Sequence, residues 1–485
     1  MKLLLASSEL HPFSKSGGLA DMVGALAKTL AAEGHQVGVV TPLYRGIQQK
    51  FPDIRPFDWH LNLPLGKDWV QGSVRVLEPA DNLTIYFIDQ PHFYDRAGLY
   101  MGDWSFEENA ARFIFLSKAA THLARYLPWQ PEIVHVHDWQ AGLVPLLIQD
   151  QTAHDGWRNA PRTCLTIHNL AYQGTFARDA FGLTNLPPER FAALEFFGQL
   201  NCLKAGLEFS DVLTTVSPRY AREITTEEYG CGLDGVLRRR QRVLTGILNG
   251  VDYEEWNTME NGHLKHAYSI EELRGKTENK AALQLEMGLP VEANVPLFAS
   301  VTRLADQKGV DIQLAALQEM LAANMQFVLL GSGDPAFEGA YADLRARHPK
   351  QVAVRIGFDQ GLSHRVEAGA DFFLMPSRFE PCGLNQMYSQ RYGTIPIVRR
   401  TGGLDDSVTD LTDNGERADG IKFGEYSARA LARAVRKALV LYESKPLFAR
   451  YRQNAMRADF SWERTVGEYV RVYEEAIFSA AAAGR

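Results

Sequence analysis

The sequence has few cysteines, no long apolar run and no excess of basic residues. The four cysteines are Cys164, Cys202, Cys231 and Cys382, and none stands at the spacing of a metal or redox motif. No stretch approaches the ~20 apolar residues of a transmembrane helix, so no membrane span is expected. Lysine and arginine number 51 against 58 acidic residues, a formal charge of −7. Without a basic excess to neutralise phosphates, nucleic acid is not the expected partner.

The amino-terminal run MKLLLA is too short for a secretory signal. Polar residues and Gly17-Gly18 follow it without a cleavage-type sequence, so we interpret it as a first buried strand. We therefore predict a cytoplasmic protein. The 485 residues are 46% hydrophobic, which is enough for more than one core. The sequence leaves the oligomeric state open.

Short apolar runs alternate with helical patterns along the chain. Lys2–Ser7, Ala20–Ala32 and Gln36–Thr41 form a strand, a helix and a strand, a start that predicts a parallel sheet. The alternation of strand and helix patterns starts again after Asn249-Gly250-Val251. We therefore predict two doubly wound α/β units with a boundary near 246–256. Further strands are predicted at Ile133–His137, Arg162–His168, Val212–Val216, Leu297–Thr302, Phe327–Leu330, Val352–Ile356, Phe372–Pro376 and Ile395–Val398.

Polar segments follow several of these strands, and ligands of open parallel sheets bind beyond the carboxyl ends of the strands. The first segment is Lys15-Ser16-Gly17-Gly18. Its glycines allow close backbone approach, the next helix offers unpaired N–H groups to an anion, and Lys15 adds positive charge. A plain strand-to-helix turn with a solvated lysine is the alternative.

Histidines end two other predicted strands. His135 and His137 are two residues apart and point the same way, but no third metal ligand stands at a recognisable spacing. A hydrogen-bonding role for these histidines or for Asp138 is therefore favoured over a metal site. His168 ends the strand at 162–168, where a satisfied strand-terminal histidine and a functional one are equally compatible with the pattern.

Two cations, Arg303 and Lys308, flank the loop after the first strand of the second unit. A departing diphosphate needs such compensation where no metal is supplied. Two solvated charges are the alternative. The position at a strand's carboxyl end favours the functional interpretation.

A carboxylate, Glu380, stands directly before Pro381, which we interpret as the start of a helix. The backbone N–H groups of Cys382, Gly383 and Leu384 would then be free to bind sugar oxygens or phosphate. The carboxylate could accept hydrogen bonds from sugar hydroxyls. The alternative is an acidic residue that complements the helix dipole.

Together these segments resemble the bacterial glycogen synthases and plant starch synthases. The resemblance covers essentially the whole chain and rests on six motifs in the family's order. They are KSGGLAD at 15–21, HDW at 137–139, TIHN at 166–169, LNGVD at 248–252, PSRFEPCGL at 376–384 and RRTGGL at 399–404.

The resemblance implies the GT-B architecture, in which two Rossmann-like domains face each other across a cleft. The domains would be 1–250 and 251–460, and a helix at 461–485 would cross back onto the first. The implied reaction is the retaining transfer of glucose from ADP-glucose to the non-reducing end of an α-1,4-glucan such as glycogen. No metal and no cofactor are implied.

The resemblance also implies a role for each candidate residue. The donor's phosphates would contact Lys15 and Gly18 from the first domain, and Arg303 and Lys308 would neutralise the diphosphate from the second. Glu380 would hold the hydroxyls of the glucose. The remaining contacts to the sugar, the donor or the acceptor would come from Asp138, His168, Asn249, Cys382, Gly383 and Leu384.

Two alternatives of other kinds stay open. One is a transferase of the same fold that uses UDP-glucose or a small-sugar acceptor, since nothing in the sequence visibly reads the base. The other is a non-catalytic glucan-binding protein, which the joint presence of Lys15, Arg303, Lys308 and Glu380 disfavours. Tyr388 stands where related retaining transferases carry a second glutamate, so residue roles from the wider superfamily cannot all be transferred to this chain.

Overall fold

The computed structural model describes residues 1–102 and 105–483, and the chain divides into two compact units. The first unit comprises 1–216, 221–250 and the chain from Trp462 onward, and the second comprises 217–220 and 251–461. In the described residues, no helix combines the length and apolar character needed to cross a membrane.

Strands alternate with helices over much of both units, as the sequence pattern predicts. The strands are β1 Lys2–Ala6, β2 Gln36–Pro42, β3 Arg55–Leu65, β4 Asp68–Ala80, β5 Leu83–Asp89, β6 Ile133–His137, β7 Arg162–Ile167, β8 Thr175–Phe176, β9 Glu195–Phe196, β10 Gln199–Asn201, β11 Val212–Thr215, β12 Leu244–Gly246, β13 Leu297–Val301, β14 Gln326–Gly331, β15 Val352–Ile356, β16 Phe372–Met375, β17 Ile395–Arg399 and β18 Ile421–Phe423. The helices are α1 Gly18–Ala32, α2 Ile47–Lys50, α3 Pro91–Tyr94, α4 Glu108–Tyr126, α5 Val144–Asp155, α6 Phe191–Leu194, α7 Cys202–Phe209, α8 Pro218–Glu223, α9 Asp234–Arg239, α10 Arg274–Glu286, α11 Val310–Met320, α12 Pro335–Arg347, α13 Gln360–Gly369, α14 Asn385–Arg391, α15 Gly402–Ser407, α16 Ala428–Glu443, α17 Lys445–Arg457 and α18 Trp462–Ala483.

The first unit is built on a nine-stranded sheet of order β12-β11-β7-β6-β1-β2-β5-β4-β3. Its central strands are parallel, and Leu3, Leu4 and Leu5 of β1 are fully buried, as expected for a strand covered on both faces. Among the described strands of this sheet β4 runs opposite to the others, and it forms with β3 and β5 a meander that was not predicted from the sequence. The strand order reverses between β1 and β6.

Helix α18 belongs to the first unit, although it closes the chain. The Tyr473 hydroxyl lies 2.8 Å from Nδ1 of His135 in the middle of the sheet. Gly250 packs so closely on Trp462 that a Cβ atom at this glycine would lie 2.7 Å from the indole ring. The chain thus enters the second unit after Gly250 and returns to the first at Trp462.

The second unit holds a parallel six-stranded sheet of order β15-β14-β13-β16-β17-β18. Neighbouring residues of β13 enter opposite cores, because side chains alternate across a strand. Phe298 packs in one core with Phe327 and Phe372, and Ala299 packs in the other with Phe373. The strand order reverses between β13 and β16. Both units therefore have the doubly wound, Rossmann-like form that the sequence predicts.

Candidate active site

Each unit places its candidate residues at the carboxyl edge of its sheet, around the point where the strand order reverses. In the first unit Lys15 follows β1 and Asp138 follows β6, the two strands on either side of that point. His168 follows the next strand, β7, and Asn249 comes three residues after β12. This edge is the position at which doubly wound sheets bind ligands.

A buried carboxylate, Glu9, anchors the Lys15 loop. It accepts hydrogen bonds from the Ser16 backbone N–H, from the Ser16 hydroxyl at 2.6 Å and from the Tyr100 hydroxyl at 2.6 Å. Glu9 is only 2% exposed. Lys15, whose side chain is 43% exposed, extends from the anchored loop and pairs with Asp21 at 2.7 Å. The sequence analysis missed Glu9, although a glutamate just after an apolar strand was a signal for it.

Helix α1 begins at Gly18, and its N-cap residue Gly17 supplies no side-chain hydrogen bond. A Cβ atom built on Gly17 would meet no other atom within 4 Å. The start of α1 therefore has no side-chain cap from Gly17, and the space around this glycine, two residues after Lys15, is open. Backbone N–H groups in such a position suit an anion.

Asp138 has a strained backbone and a perturbed carboxyl. Its φ of 54° and ψ of −166° lie in a region that non-glycine residues adopt at a cost of about 1–3 kcal/mol. The His168 backbone N–H donates to Asp138 Oδ1 at 2.7 Å. Burial raises the pKa of Asp138 to about 7, against the hydrogen bonds from the amides of His168 and Asn169. The site therefore contains an acid that changes charge near neutral pH.

Three histidines lie side by side behind this acid. His135 contacts the Tyr473 hydroxyl and the Thr166 hydroxyl at 2.8 and 2.6 Å, which confirms its hydrogen-bonding role. His137 Nδ1 lies 3.1 Å from His168 Nε2. Burial lowers the pKa values of His135 and His168 to about 3, so both rings are neutral at physiological pH. Among the described residues, no group of three potential ligands could hold a metal ion.

Two buried polar atoms at this edge have no hydrogen-bond partner among the described residues. Nε2 of His137 and Oδ1 of Asn249 meet no hydrogen-bonding group within residues 1–102 and 105–483. Asn249 is 5% exposed and His137 is fully buried. Unpaired buried polar atoms are costly, and they mark places where a bound molecule or water completes the hydrogen bonding.

In the second unit, Lys308 and Glu380 form an ion pair between the loops that follow β13 and β16. Lys308 Nζ lies 2.6 Å from Glu380 Oε2, and the Ser377 hydroxyl donates to the same oxygen at 3.0 Å. Both side chains are largely shielded, at 18% and 7% exposure. Arg303 is exposed on the β13 loop. The structure therefore joins the two predicted functions, cation and sugar-binding carboxylate, in one pair.

The two loops are fastened to each other through their backbones. Gly309 has a φ of 69°, and a Cβ atom there would lie 2.1 Å from the carbonyl oxygen of Pro376. The Arg378 N–H donates to the Gln307 carbonyl at 2.8 Å. Only glycine permits this approach. The contact sets the position of Lys308 relative to Glu380.

The predicted helix start at Pro381 is wrong, because α14 begins at Asn385. Gly383 has a φ of 72°, which is incompatible with a right-handed helix, so the segment between them is a turn. The turn nevertheless exposes backbone donors, since the amides of Gly383 and Leu384 donate to no acceptor among the described residues.

The glycine turn after β17 packs against the segment of Glu380. A Cβ atom on Gly402 would lie 1.9 Å from the Glu380 carbonyl oxygen, and one on Gly403 would lie 2.1 Å from the Cys382 carbonyl oxygen. Gly403 N–H also donates to the Glu380 carbonyl at 3.1 Å. The predicted motif at 399–404 thus supports the Glu380 segment from behind.

Two aromatic residues of the second unit differ in their surroundings. Phe358 follows β15 and is 87% exposed, a position that the sequence analysis missed although a strand-ending Gly-Phe pair signalled it. Tyr388, at the position of the second glutamate in related transferases, stacks on Trp256 with ring centroids 3.6 Å apart. Tyr388 therefore takes up an aromatic packing role there.

Comparison with known proteins supports the same interpretation. The family model of the starch synthase catalytic domain matches residues 2–239, and that of the glycosyl transferases group 1 matches residues 288–457. The glycogen synthase of Anaeromyxobacter sp. (strain Fw109-5) is 48% identical over 477 residues, covering 98% of this chain and 99% of the relative. The chain belongs to the glycogen synthase family. Membership makes it a glycosyltransferase, as the sequence motifs predict.

Other members of the glycogen synthase family extend the comparison. The glycogen synthase of Opitutus terrae is 42% identical and covers 98% of this chain and 100% of the relative. The catalytic domain of starch synthase IV from Arabidopsis thaliana, solved bound to ADP and acarbose, superposes with a TM-score of 0.88 at 33% identity, covering 98% of this chain and 99% of that one. A sucrose-phosphate synthase from Thermosynechococcus elongatus shares only the fold, with a TM-score of 0.62 at 18% identity over 99% of each chain. The predicted GT-B fold is confirmed.

Proposed function

We propose that this chain transfers glucose from ADP-glucose to the non-reducing end of an α-1,4-glucan, with retention of configuration and release of ADP. The observation that carries the proposal is the Lys308–Glu380 pair at the point where the second sheet's strand order reverses, with Arg303 on the same loop as Lys308. The relatives named glycogen synthase and the ADP- and acarbose-bound starch synthase support the donor and the acceptor.

The second unit would stabilise the leaving group and hold the sugar. Arg303 and Lys308 place two positive charges where the diphosphate develops negative charge, and such fixed cations stabilise the transition state electrostatically. Glu380 would accept hydrogen bonds from glucose hydroxyls through the carboxylate oxygen that Lys308 does not occupy. The amides of Cys382, Gly383 and Leu384 would supply further donors. Because Lys308 binds Glu380 directly, the sugar anchor and the leaving-group cation are positioned together.

The exposed ring of Phe358 lies at the same edge, two strands from the Arg303 loop. An exposed aromatic face can stack on a nucleotide base, since every base has a π-face. The Phe358 ring would be the surface on which the base of the donor stacks.

The first unit would bind the donor's phosphates and contact the transferred glucose. Lys15 and the open first turn of α1 at Gly18 form a site for an anion. Asp138 and the neutral ring of His168 offer hydrogen-bonding groups for sugar hydroxyls. The unpaired Oδ1 of Asn249 offers another acceptor. None of these tasks requires a metal ion or a cofactor, so activity without a divalent metal stays a prediction. The cytoplasmic location also stays a prediction.

The test is incubation of the purified protein with glycogen and labelled ADP-glucose or UDP-glucose, with and without EDTA. We expect elongation of the glucan, preference for ADP-glucose and no loss of activity in EDTA. Equal or better use of UDP-glucose would overturn the donor assignment. No elongation with either donor would overturn the enzyme class and return the non-catalytic glucan-binding alternative. Loss in EDTA that magnesium or manganese restores would overturn the metal-free mechanism.

A further inference from the structure

A phenylalanine at the tip of a small hairpin in the first unit has two features that destabilise the protein. Phe197 joins β9 to β10 and is 83% exposed. Its φ of 50° is left-handed, a conformation that a bulky residue adopts only at a cost of about 1–2 kcal/mol. Glycine or asparagine would suit this backbone better, and a polar residue would suit the exposure better. Strained positions of this kind cluster at ligand-binding sites.

The hairpin holds the ring of Phe197 in a defined position. The Glu195 carboxylate accepts a hydrogen bond from the Gly198 N–H at 2.6 Å and closes the turn. The Phe196 ring meets the Phe197 ring edge-on, with centroids 4.6 Å apart. Asn201 caps the following helix α7 by accepting from the Lys204 N–H at 2.8 Å. An exposed ring on an ordered backbone turn loses less conformational entropy on binding a ligand than a ring on a flexible loop.

The hairpin is tied to the segment that follows His168. Strand β10 pairs with β9 on one side and with β8 on the other, and β8 lies in the segment after β7. The Asn201 side chain donates to Gln173 Oε1 at 2.7 Å. Tyr172, in the same segment, is a second exposed ring at 54%. The Phe197 hairpin is therefore part of the same carboxyl edge as the candidate glucose-contacting residues.

The chemistry of the hairpin suits a neutral polyol. Residues 195–201 read EFFGQLN, with rings, amides and one carboxylate. The ammonium of the half-buried Lys204 donates to the Glu195 carbonyl at 2.5 Å, so this charge is already engaged with the hairpin backbone. One engaged ammonium offers little compensation to a diphosphate, so a neutral ligand fits the hairpin better than the donor does. The apolar C–H face of a glucose unit can pack on an aromatic ring while its hydroxyls bond to amides.

We propose that the Phe197 ring is a platform on which a glucose unit of the acceptor α-1,4-glucan stacks. The inference rests on the proposed function, because it takes its ligand from that reaction. It adds a specific acceptor-positioning residue to the first unit. The strain and exposure of Phe197 are then the cost of presenting an apolar face to a sugar chain.

The test is the binding of maltoheptaose to the full-length protein without any donor, measured by titration calorimetry. Phe197→Asn removes the ring and keeps a residue that tolerates the left-handed backbone. We expect about ten-fold weaker binding, the change produced by losing roughly 1.4 kcal/mol of contact, with a melting temperature equal to or above that of the wild type. Phe197→Trp should keep the affinity. Phe478→Ala, which removes a ring that is 69% exposed on α18, is the matched control and should change nothing.

Several results would overturn the proposal. They are unchanged maltoheptaose affinity in Phe197→Asn, an equal loss in Phe478→Ala, and a lower melting temperature that shows Phe197 to be a structural residue. Binding is measured without donor or turnover, so its outcome is separate from that of the elongation assay. If the wild type binds maltoheptaose through Phe197 and does not elongate glycogen, the platform stands and the enzyme assignment fails.

Discussion

Replacement of Lys308 by alanine should lower both catalysis and stability, and the two losses should be separable. In the structure the ammonium group neutralises a carboxylate that is 7% exposed. The proposed function gives the same ammonium group a second task, which is to stabilise the departing diphosphate. Lys308→Ala removes both contributions at once.

The size of each loss follows from the geometry. Breaking a buried ion pair by removing one partner costs about 3–5 kcal/mol. Lys308 retains 18% exposure and the Ser377 hydroxyl still reaches Glu380, so we expect the lower end, about 3 kcal/mol of the free energy of unfolding. Removing one electrostatic group that acts in the transition state costs about 10²–10³ in kcat. The KM for ADP-glucose should change far less.

Two further variants separate the loss of catalysis from the loss of stability. In Lys308→Ala combined with Glu380→Gln, no buried charge is left uncompensated, so the melting temperature should recover while kcat stays low. Arg303→Ala should lower kcat at an unchanged melting temperature, because Arg303 is exposed and its loss leaves no buried charge uncompensated. The measurements are steady-state kinetics with glycogen and ADP-glucose, and thermal melts of all variants.

The reasoning fails if Lys308→Ala keeps kcat within a few-fold and only raises the donor KM. Lys308 would then be a simple phosphate anchor. It also fails if the double variant melts no higher than the single one, because the loss of stability would then not come from the unpaired carboxylate.

Two further predictions concern the acid of the first unit and the glycine that joins the loops of the second. The pKa of Asp138 is raised in the folded state, so its contribution to stability is complete below the unfolded pKa near 4 and is lost as pH rises towards 7. The free energy of unfolding of Asp138→Asn, obtained from thermal melts, should therefore rise relative to that of the wild type by roughly 2–3 kcal/mol between pH 5 and pH 7. A difference between the two proteins that does not change with pH would refute this. Gly309→Ala should reduce both the melting temperature and kcat, since the added methyl would displace the Lys308 loop from Pro376. Gly288→Ala, at a φ of 75° with no atom nearby, is the matched control and should lose stability only; equal kinetic effects in the two variants would count against the loop contact.

Much of the fold follows from local pattern. The strands at 133–137 and 352–356 match their predictions end to end, because β-branched residues predominate in both. The meander of β3, β4 and β5 escaped prediction: β3 and β4 are partly exposed antiparallel strands whose pairing depends on contacts across the sheet. The helix start assigned to Pro381 failed because the left-handed Gly383 interrupts the helix, and glycine permits that conformation without requiring it.

The candidate site, like the fold, could be predicted from the sequence only in part. Motifs and strand ends were enough to select Lys15, Asp138, His168, Lys308 and Glu380, because residues beyond the carboxyl ends of parallel strands meet at one edge of each sheet. Their mutual contacts were not readable. Lys308 and Glu380 are 72 positions apart, and the packing of Gly309 on Pro376 and the Arg378–Gln307 hydrogen bond hold their loops together, with the two side chains 2.6 Å apart.

Local propensity and hydrophobic period thus indicated most of the buried parallel strands and the residues that follow them. Tertiary structure alone decided which charges are paired, which polar atoms are buried without a partner and which acid has its pKa near 7. The physical reason is that pairing and desolvation depend on distances between loops that are far apart along the chain, and the sequence pattern does not contain those distances. The buried Glu9 and the exposed Phe197 are two examples. Each is an ordinary residue in the sequence, and the tertiary structure gives it its surroundings.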